Sequence, residues 1–280
     1  MAEFYVYDVF SSEAFGGNQL AVIPDATALP EEDLQRIARE FNFSESTFVF
    51  PPENPAHTAR VRIFTPTMEI PFAGHPTIGT AVALSDQGTP PDMVLELGVG
   101  PIKCHAVNGQ ARFTTEVPLE KLAAPSLAHV ADALGLSETD VETSTHAPIL
   151  ASVGLPFTIT ELKTREALAN IVTNVAAFRQ GAETYPGALD FAQFAYVTEG
   201  DTIHARMFAP LDNIPEDPAT GSACAALGAL FADLTGADQA LTIRQGEDMG
   251  RLSVIQLSTT GGAVTISGAA KRVMQGRLVY

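Results

Sequence analysis

Residues 62–84, RIFTPTMEIPFAGHPTIGTAVAL, and residues 206–230, RMFAPLDNIPEDPATGSACAALGAL, follow one template. Arg62, Phe64, Pro66, Ile70 and Pro71 match Arg206, Phe208, Pro210, Ile214 and Pro215 at a spacing of 144. After a two-residue deletion, Pro76, Gly79, Thr80 and Ala81 match Pro218, Gly221, Ser222 and Ala223 at a spacing of 142. This register sets His75 opposite Asp217. A repeat of this length means two copies of one folding unit, each a strand, a loop and a helix that begins near a proline.

The likeness extends outward. Each motif runs into an Ala-rich helix, expected at about 76–85 and 218–234, then a turn with paired glycines (Gly98 and Gly100; Gly246 and Gly250) and a hairpin. Asn108-Gly109 and Gly261-Gly262 sit between strand-like runs such as KCHAV and AVTIS and mark those hairpins. Upstream, GGNQLAVI (16–23) and VGLPFTIT (153–160) form a further candidate pair. Strands are expected at 4–10, 19–23, 47–50 and 59–64. A helix is expected at 30–41, where Glu31, Glu32 and Asp33 suit the positive end and Leu34, Ile37, Ala38 and Phe41 recur at helical spacing. Strands should dominate the remainder. The join falls in the Ala/Pro-rich and acidic stretch 118–147, giving an N-terminal domain of 1–120 and a C-terminal domain of 121–280, whose last strand could pack back on the first domain.

Composition limits the function. The chain has 280 residues, of which 46% are apolar and 18% charged, enough to bury cores and exclude a disordered chain. Its net charge of -17 repels nucleic acid and anionic membrane at long range. Cys104 and Cys224 have no CxxC spacing, so neither a disulfide framework nor a cysteine zinc site is supported. The histidines His57, His105, His129, His146 and His204 show no metal-binding spacing, and no nucleotide-binding loop occurs. No metal or cofactor is expected. The start MAEFYVYDVF lacks a secretory pattern, and no run of ~18 apolar residues suggests a membrane span. The expected location is cytoplasmic.

Two helix starts carry candidate chemistry. Gly74-His75-Pro76 and Glu216-Asp217-Pro218, with Gly79-Thr80 and Gly221-Ser222 one turn on, would present backbone N–H groups and hydroxyls to a carboxylate or enolate oxygen. A structural reading stands beside this one, in which Asp217 only caps its helix and the glycines only permit packing. Glu45, within NFSESTFVF, is a third candidate. Beside Phe43, Phe48, Val49 and Phe50 a carboxyl would resist ionisation and become a proton carrier, with Ser44, Ser46 and Thr47 as hydrogen-bond partners. The alternative is a solvated surface glutamate. Arg62 and Arg206 read as structural partners of the loops, and Gln245 to Arg251 as an architectural turn.

The ordered set DVF…FGGNQLAV, SES, FTPTMEIPFAGHPTIGTA, FAPLDNIPEDPATGSA and QGEDMGR resembles the phenazine biosynthesis PhzF-like family, from Asp8 to Arg251. The resemblance implies an α+β protein of diaminopimelate epimerase-like fold: two pseudo-symmetric domains, each a mostly antiparallel sheet around a central helix, with the active site between them. It implies a cofactor-independent isomerase of the kind that shifts a double bond in dihydro-hydroxyanthranilate. It puts the family's catalytic glutamate on Glu45, its histidine on His75 and its aspartate on Asp217. Substrate contacts fall on Ser44, Gly74, Thr220, Gly221 and Ser222, with Asn18 added at the edge. A homodimer is implied.

The leading expectation is therefore proton transfer by Glu45 on a small carboxylate-bearing substrate, with neither nucleic acid nor membrane as partner. Two alternatives stand beside it. Racemisation or epimerisation of an amino-acid derivative by opposed thiols needs cysteines where Gly74, His75, Asp217 and Ala219 stand. A non-catalytic small-molecule binder would gain nothing from a buried proton carrier.

Overall fold

A computed structural model describes residues 2–185 and 187–280. The chain divides into two units: one runs through Thr115 and takes in Thr265–Tyr280, and the other is Glu116–Val264. In the first, β1 (Glu3–Val9), β2 (Asn18–Ile23), α1 (Glu31–Phe41), β3 (Glu45–Phe50), β4 (Ala59–Phe64), β5 (Glu69–Ile70), α2 (Gly74–Asp86), β6 (Asp92–Leu97), β7 (Gly100–Val107) and β8 (Gln110–Thr115) follow in order. The second holds β9 (Glu120–Ala123), α3 (Leu127–Leu134), β10 (Ile149–Ser152), β11 (Pro156–Glu161), α4 (Arg165–Ala169), α5 (Val175–Thr184), β12 (Gln193–Glu199), β13 (Thr202–Ala209), β14 (Ile214–Asp217), α6 (Gly221–Thr235), β15 (Ala240–Gln245) and β16 (Ser253–Thr260). A last strand, β17 (Ala263–Arg277), closes the chain.

The pairing pattern repeats more fully than the motif. In the first unit β1 and β2 are antiparallel, β2 and β3 parallel, β3 and β4 antiparallel, and β4 meets β5 antiparallel and β6 parallel before β6 and β7 form a hairpin. In the second, β10 through β16 reproduce each of these relations in the same order. GGNQLAVI and VGLPFTIT thus contribute equivalent strands, β2 and β11. Asn108 and Gly109, between β7 and β8, have φ of 52° and 73°, the left-handed pair that a two-residue hairpin turn needs.

The central helix of each unit is buried on every side for most of its length. All residues of α2 from Gly74 through Leu84 are buried, because α2 packs on β1, β2, β3, β7 and β8. Such a helix has no solvated face, and the buried side chains of Ile78, Val82 and Leu84 each contribute roughly 1.5–3 kcal/mol of apolar burial. In α6, Gly221 through Gly228 and Leu230 are buried likewise. By contrast α1 is amphipathic, with Leu34, Ile37 and Ala38 buried against Ile23, Phe48 and Phe64.

Each motif is braced by its arginine. Arg62 on β4 grips both oxygens of Glu69 on β5, at 2.8 and 2.6 Å, and stacks 5.1 Å over Phe64. Arg206 on β13 does the same with Glu216 on β14, at 2.9 and 2.7 Å, and with Phe208 at 4.9 Å.

Several expectations are corrected. The greater part of β17 belongs to the first unit, because it pairs antiparallel with β1 from Glu3↔Arg277 to Val9↔Ala270; the division at residue 120 therefore holds only with the last strand returning to the first domain, as the sequence allows. The stretch 118–147 is folded within the second unit, not a join. Strands dominate the remainder, with three short helices, α3, α4 and α5, among them; α3 has its own signals, a Ser126 side chain accepting the His129 N–H at 3.2 Å and Gly135 at φ 66° after its last turn. The two central helices start at Gly74 and Gly221, so Pro76 lies inside the first turn of α2 while Pro218 precedes α6.

Candidate active site

Helix α2 brings His75 to β2 and β3. Gly79 makes the approach possible, since a Cβ there would lie 2.5 Å from Leu20 Cδ2 and 2.7 Å from Val9 Cγ2. The parallel pairing of β2 with β3 sets Glu45 beside Leu20, two residues along from Asn18. Thr80 of α2 donates a hydrogen bond to Thr47 of β3 at 2.9 Å, fixing the helix rotation.

The result is one cluster in the first unit. His75 Nδ1 is 3.5 Å from Glu45 Oε2 and 3.4 Å from Asn18 Nδ2, and Ser44 Oγ donates to Asn18 Oδ1 at 3.4 Å. The Nδ1 edge of the imidazole thus faces both the Asn18 amide and the Glu45 carboxyl. Glu45 is not a solvated surface glutamate: its side chain is 12% exposed, and Ser46 and Thr47, the next residues, are fully buried. Burial pushes the His75 imidazole down to about 3, with the Gln19 backbone pulling weakly the other way, so the ring is neutral at physiological pH. It is a polar neighbour of the carboxyl and no counter-ion to it. Nε2 is buried with no hydrogen-bond partner among the described residues.

The second unit holds another cluster. Asp217 ends β14 and is buried, as are Thr220 and Ser222. It is not the cap of α6: Thr220 occupies that position. Thr220 Oγ1 instead donates to Asp217 Oδ2 at 2.6 Å. His75 and Asp217, opposite one another in the sequence register, thus stand in different local structure, one in the first turn of a helix and one at the end of a strand. Neither helix has a side-chain cap on its first turn, which leaves Gly74, Gly221 and Ser222 with N–H groups that a helix does not itself satisfy. Thr220 is the exception, because its N–H is taken by Gln245.

Gln245, which by sequence belongs to an architectural turn, reaches this second cluster. It is fully buried and makes three hydrogen bonds to the Asp217–Thr220 turn. Its signals in the sequence are its place at the head of QGEDMGR and beside Gly246, whose φ of 73° and close approach to Pro218 exclude a side chain.

The five remaining histidines are engaged elsewhere: His57 with Glu96, His105 with Asp92, His129 with the Ala177 carbonyl, His146 with the Tyr196 hydroxyl and His204 with Glu247. No group of three or more metal-ligating side chains occurs among the described residues, and no helix among them is long and apolar enough to cross a membrane. Both cysteines are buried. Burial pushes the Cys104 thiol up to about 12 and raises that of Cys224 further, Asp217 adding to the second shift.

The profile of the PhzC-PhzF phenazine biosynthesis-like proteins matches residues 7–276. The chain is 37% identical to an uncharacterized isomerase of Mesorhizobium japonicum, over 98% of each chain. It is 32% identical to a trans-2,3-dihydro-3-hydroxyanthranilate isomerase of Pseudomonas fluorescens, over 100% of each. The crystal structure of a PhzF-family phenazine biosynthesis protein from Bacillus anthracis superposes with a TM-score of 0.88 over 100% of this chain and 99% of that one, at 23% identity. That last likeness is one of fold, and the fold is of the diaminopimelate epimerase-like class.

Proposed function

Because the chain belongs to the PhzC-PhzF family of phenazine biosynthesis-like proteins and is an isomerase of that family, we propose that it moves a proton, and with it a double bond, within a small carboxylate-bearing substrate, with Glu45 as general acid/base. The observation that carries this reading is the setting of Glu45: a mostly buried carboxyl 3.5 Å from a neutral imidazole. A carboxyl positioned in this way contributes ~10²–10⁴ in rate when it transfers a proton in the transition state.

Each remaining residue has a task in this scheme. Glu45 takes the proton from a carbon made acidic by conjugation and returns it at another carbon of the same ligand. His75, uncharged, holds a ligand polar atom through its ring without competing for the proton. Asn18 and Ser44 hold the Nδ1 edge of the ring in place, and the Gly74 N–H at the start of α2 stabilises developing negative charge. Asp217, Thr220, Gly221 and Ser222 are assigned to orienting the substrate's polar groups. The substrate class follows that of the relative from Pseudomonas fluorescens, whose name gives trans-2,3-dihydro-3-hydroxyanthranilate.

The thiol alternative is disfavoured by the chemistry of the cysteines. Thiolates are the reactive form, and burial works against ionisation of both Cys104 and Cys224.

The test is Glu45→Gln, assayed by NMR in heavy water with trans-2,3-dihydro-3-hydroxyanthranilate and related ring carboxylates. Turnover and deuterium incorporation should fall by ~10²-fold or more while ligand binding persists. A Gln variant as active as the parent removes Glu45 from the chemistry.

A further inference from the structure

The direction of each hydrogen bond around Gln245 is decided by its partners. The Thr220 backbone N–H can only donate, so Gln245 Oε1 faces it, at 3.0 Å. The Asp217 carbonyl can only accept, so Nε2 faces that, at 2.8 Å. Nε2 also lies 2.9 Å from Thr220 Oγ1, and there it is again the donor. The Thr220 hydroxyl therefore receives one hydrogen bond from Gln245 and has one proton to give. Asp217 Oδ2, at 2.6 Å, is where that proton points.

The other copy of the fold shows that the scaffold does not itself need an amide at this place. In the second unit β13 and β15 run parallel with Ala205 beside Gln245. In the first, β4 and β6 run parallel with Arg60 beside Glu96, which sets Val61, the counterpart of Ala205, level with Leu97. The residue equivalent to Gln245 is thus Leu97, a buried apolar side chain. An amide has replaced it in the copy that contains Asp217.

We infer that Gln245 is a positioning residue that acts through Thr220 on Asp217, setting a one-way relay in which Asp217 Oδ2 serves only as an acceptor. Clamping the Asp217 carbonyl and feeding a hydroxyl proton into Oδ2 fixes the plane of the carboxyl and bars a proton from that oxygen. Asp217 is presented as an oriented acceptor, and proton carriage is left to Glu45. The consequence for turnover rests on the substrate-orienting role proposed above for Asp217; the relay itself does not.

Neutron diffraction from crystals of the perdeuterated protein reads the relay directly. The expected map has the Thr220 deuteron directed at Asp217 Oδ2 and both Gln245 amide deuterons on the nitrogen facing Thr220 Oγ1 and the Asp217 carbonyl. A deuteron on Oδ2, or a Thr220 deuteron directed at Gln245, overturns the inference. Kinetics with trans-2,3-dihydro-3-hydroxyanthranilate as probe test the consequence. Gln245→Leu and Thr220→Val should each lower kcat roughly tenfold or more with KM changed less than about threefold, Thr220→Ser should restore kcat, and the double variant should be no worse than the poorer single one. A Gln245→Leu enzyme with unchanged kcat, or losses that multiply in the double variant, overturns the positioning role. Gln245→Glu, isosteric and able to accept the Thr220 N–H but not to donate, replaces the leucine variant if that fails to fold. Activity surviving in Glu45→Gln would count against the acid/base reading instead, with the neutron map still deciding the relay.

Discussion

Glu45 Oε2 and His75 Nδ1 stand 3.5 Å apart, and the imidazole that faces the carboxyl is neutral because burial strips it of solvent. The pair therefore differs from a carboxylate–imidazolium couple. In the proposed scheme the two groups keep separate tasks, the carboxyl carrying the proton and the uncharged ring standing beside it.

A pH dependence of stability follows. The folded imidazole protonates near 3, against about 6.5 in an unfolded chain. Between these values the unfolded state binds a proton that the folded state refuses, so stability contributed above pH 6.5 is lost as pH falls. From pH 7 to pH 4.5 the His75 contribution should decline by roughly 2–3 kcal/mol at ~1.4 kcal/mol per pH unit. Urea denaturation of the parent and of His75→Asn at both pH values measures it, and equal slopes for the two proteins would refute it. For the same reason the kcat profile should show no limb near pH 6.5 that His75→Asn removes.

Gly17 should tolerate no side chain. Its φ is +64°, and a Cβ would lie 2.3 Å from the Val9 carbonyl oxygen, a backbone atom held in β1 where Val9 pairs with Asn18. Gly17→Ala combines left-handed strain of ~1–2 kcal/mol with overpacking of ~1–3 kcal/mol. Thermal unfolding should show the loss, and activity should fall with it because Asn18 is the next residue. A variant within about 0.5 kcal/mol of the parent would show that the turn can relax.

The two arginine clamps, alike in geometry, should differ in worth. Arg206 and Glu216 have side chains only 11% and 16% exposed, whereas the Glu69 partner of Arg62 is 42% exposed. Arg206 also donates to the Leu168 and Ala169 carbonyls. Arg206→Ala should cost about 3–5 kcal/mol, as when a buried partner is removed, while Arg62→Ala should cost nearer 1 kcal/mol. Denaturant titrations compare them directly, and equal losses would contradict the ranking.

Neither cysteine should react while the protein is folded. Cys224 is fully buried, Cys104 nearly so, and burial raises both thiols. A thiol-disulfide reagent at pH 8 should modify both only after denaturation, with turnover unaffected before it. Rapid modification of Cys224 with loss of activity and protection by ligand would reopen the thiol mechanism.

The amino-acid sequence by itself determined that two copies of one α+β unit are present, where their central helices and hairpin turns fall, and that Glu45, His75 and Asp217 are the side chains worth following. These signals are local: turn glycines, helix-start prolines and repeated spacing act within a few residues. Tertiary structure alone decided the rest. It fixed the register in which β17 pairs with β1, and made His75 neutral by surrounding it. It also took the cap of α6 from Asp217, and brought Gln245 from the end of β15 onto the Asp217–Thr220 turn. Burial and the direction of a hydrogen bond depend on which distant segments pack against a group, and that information is spread over the whole chain.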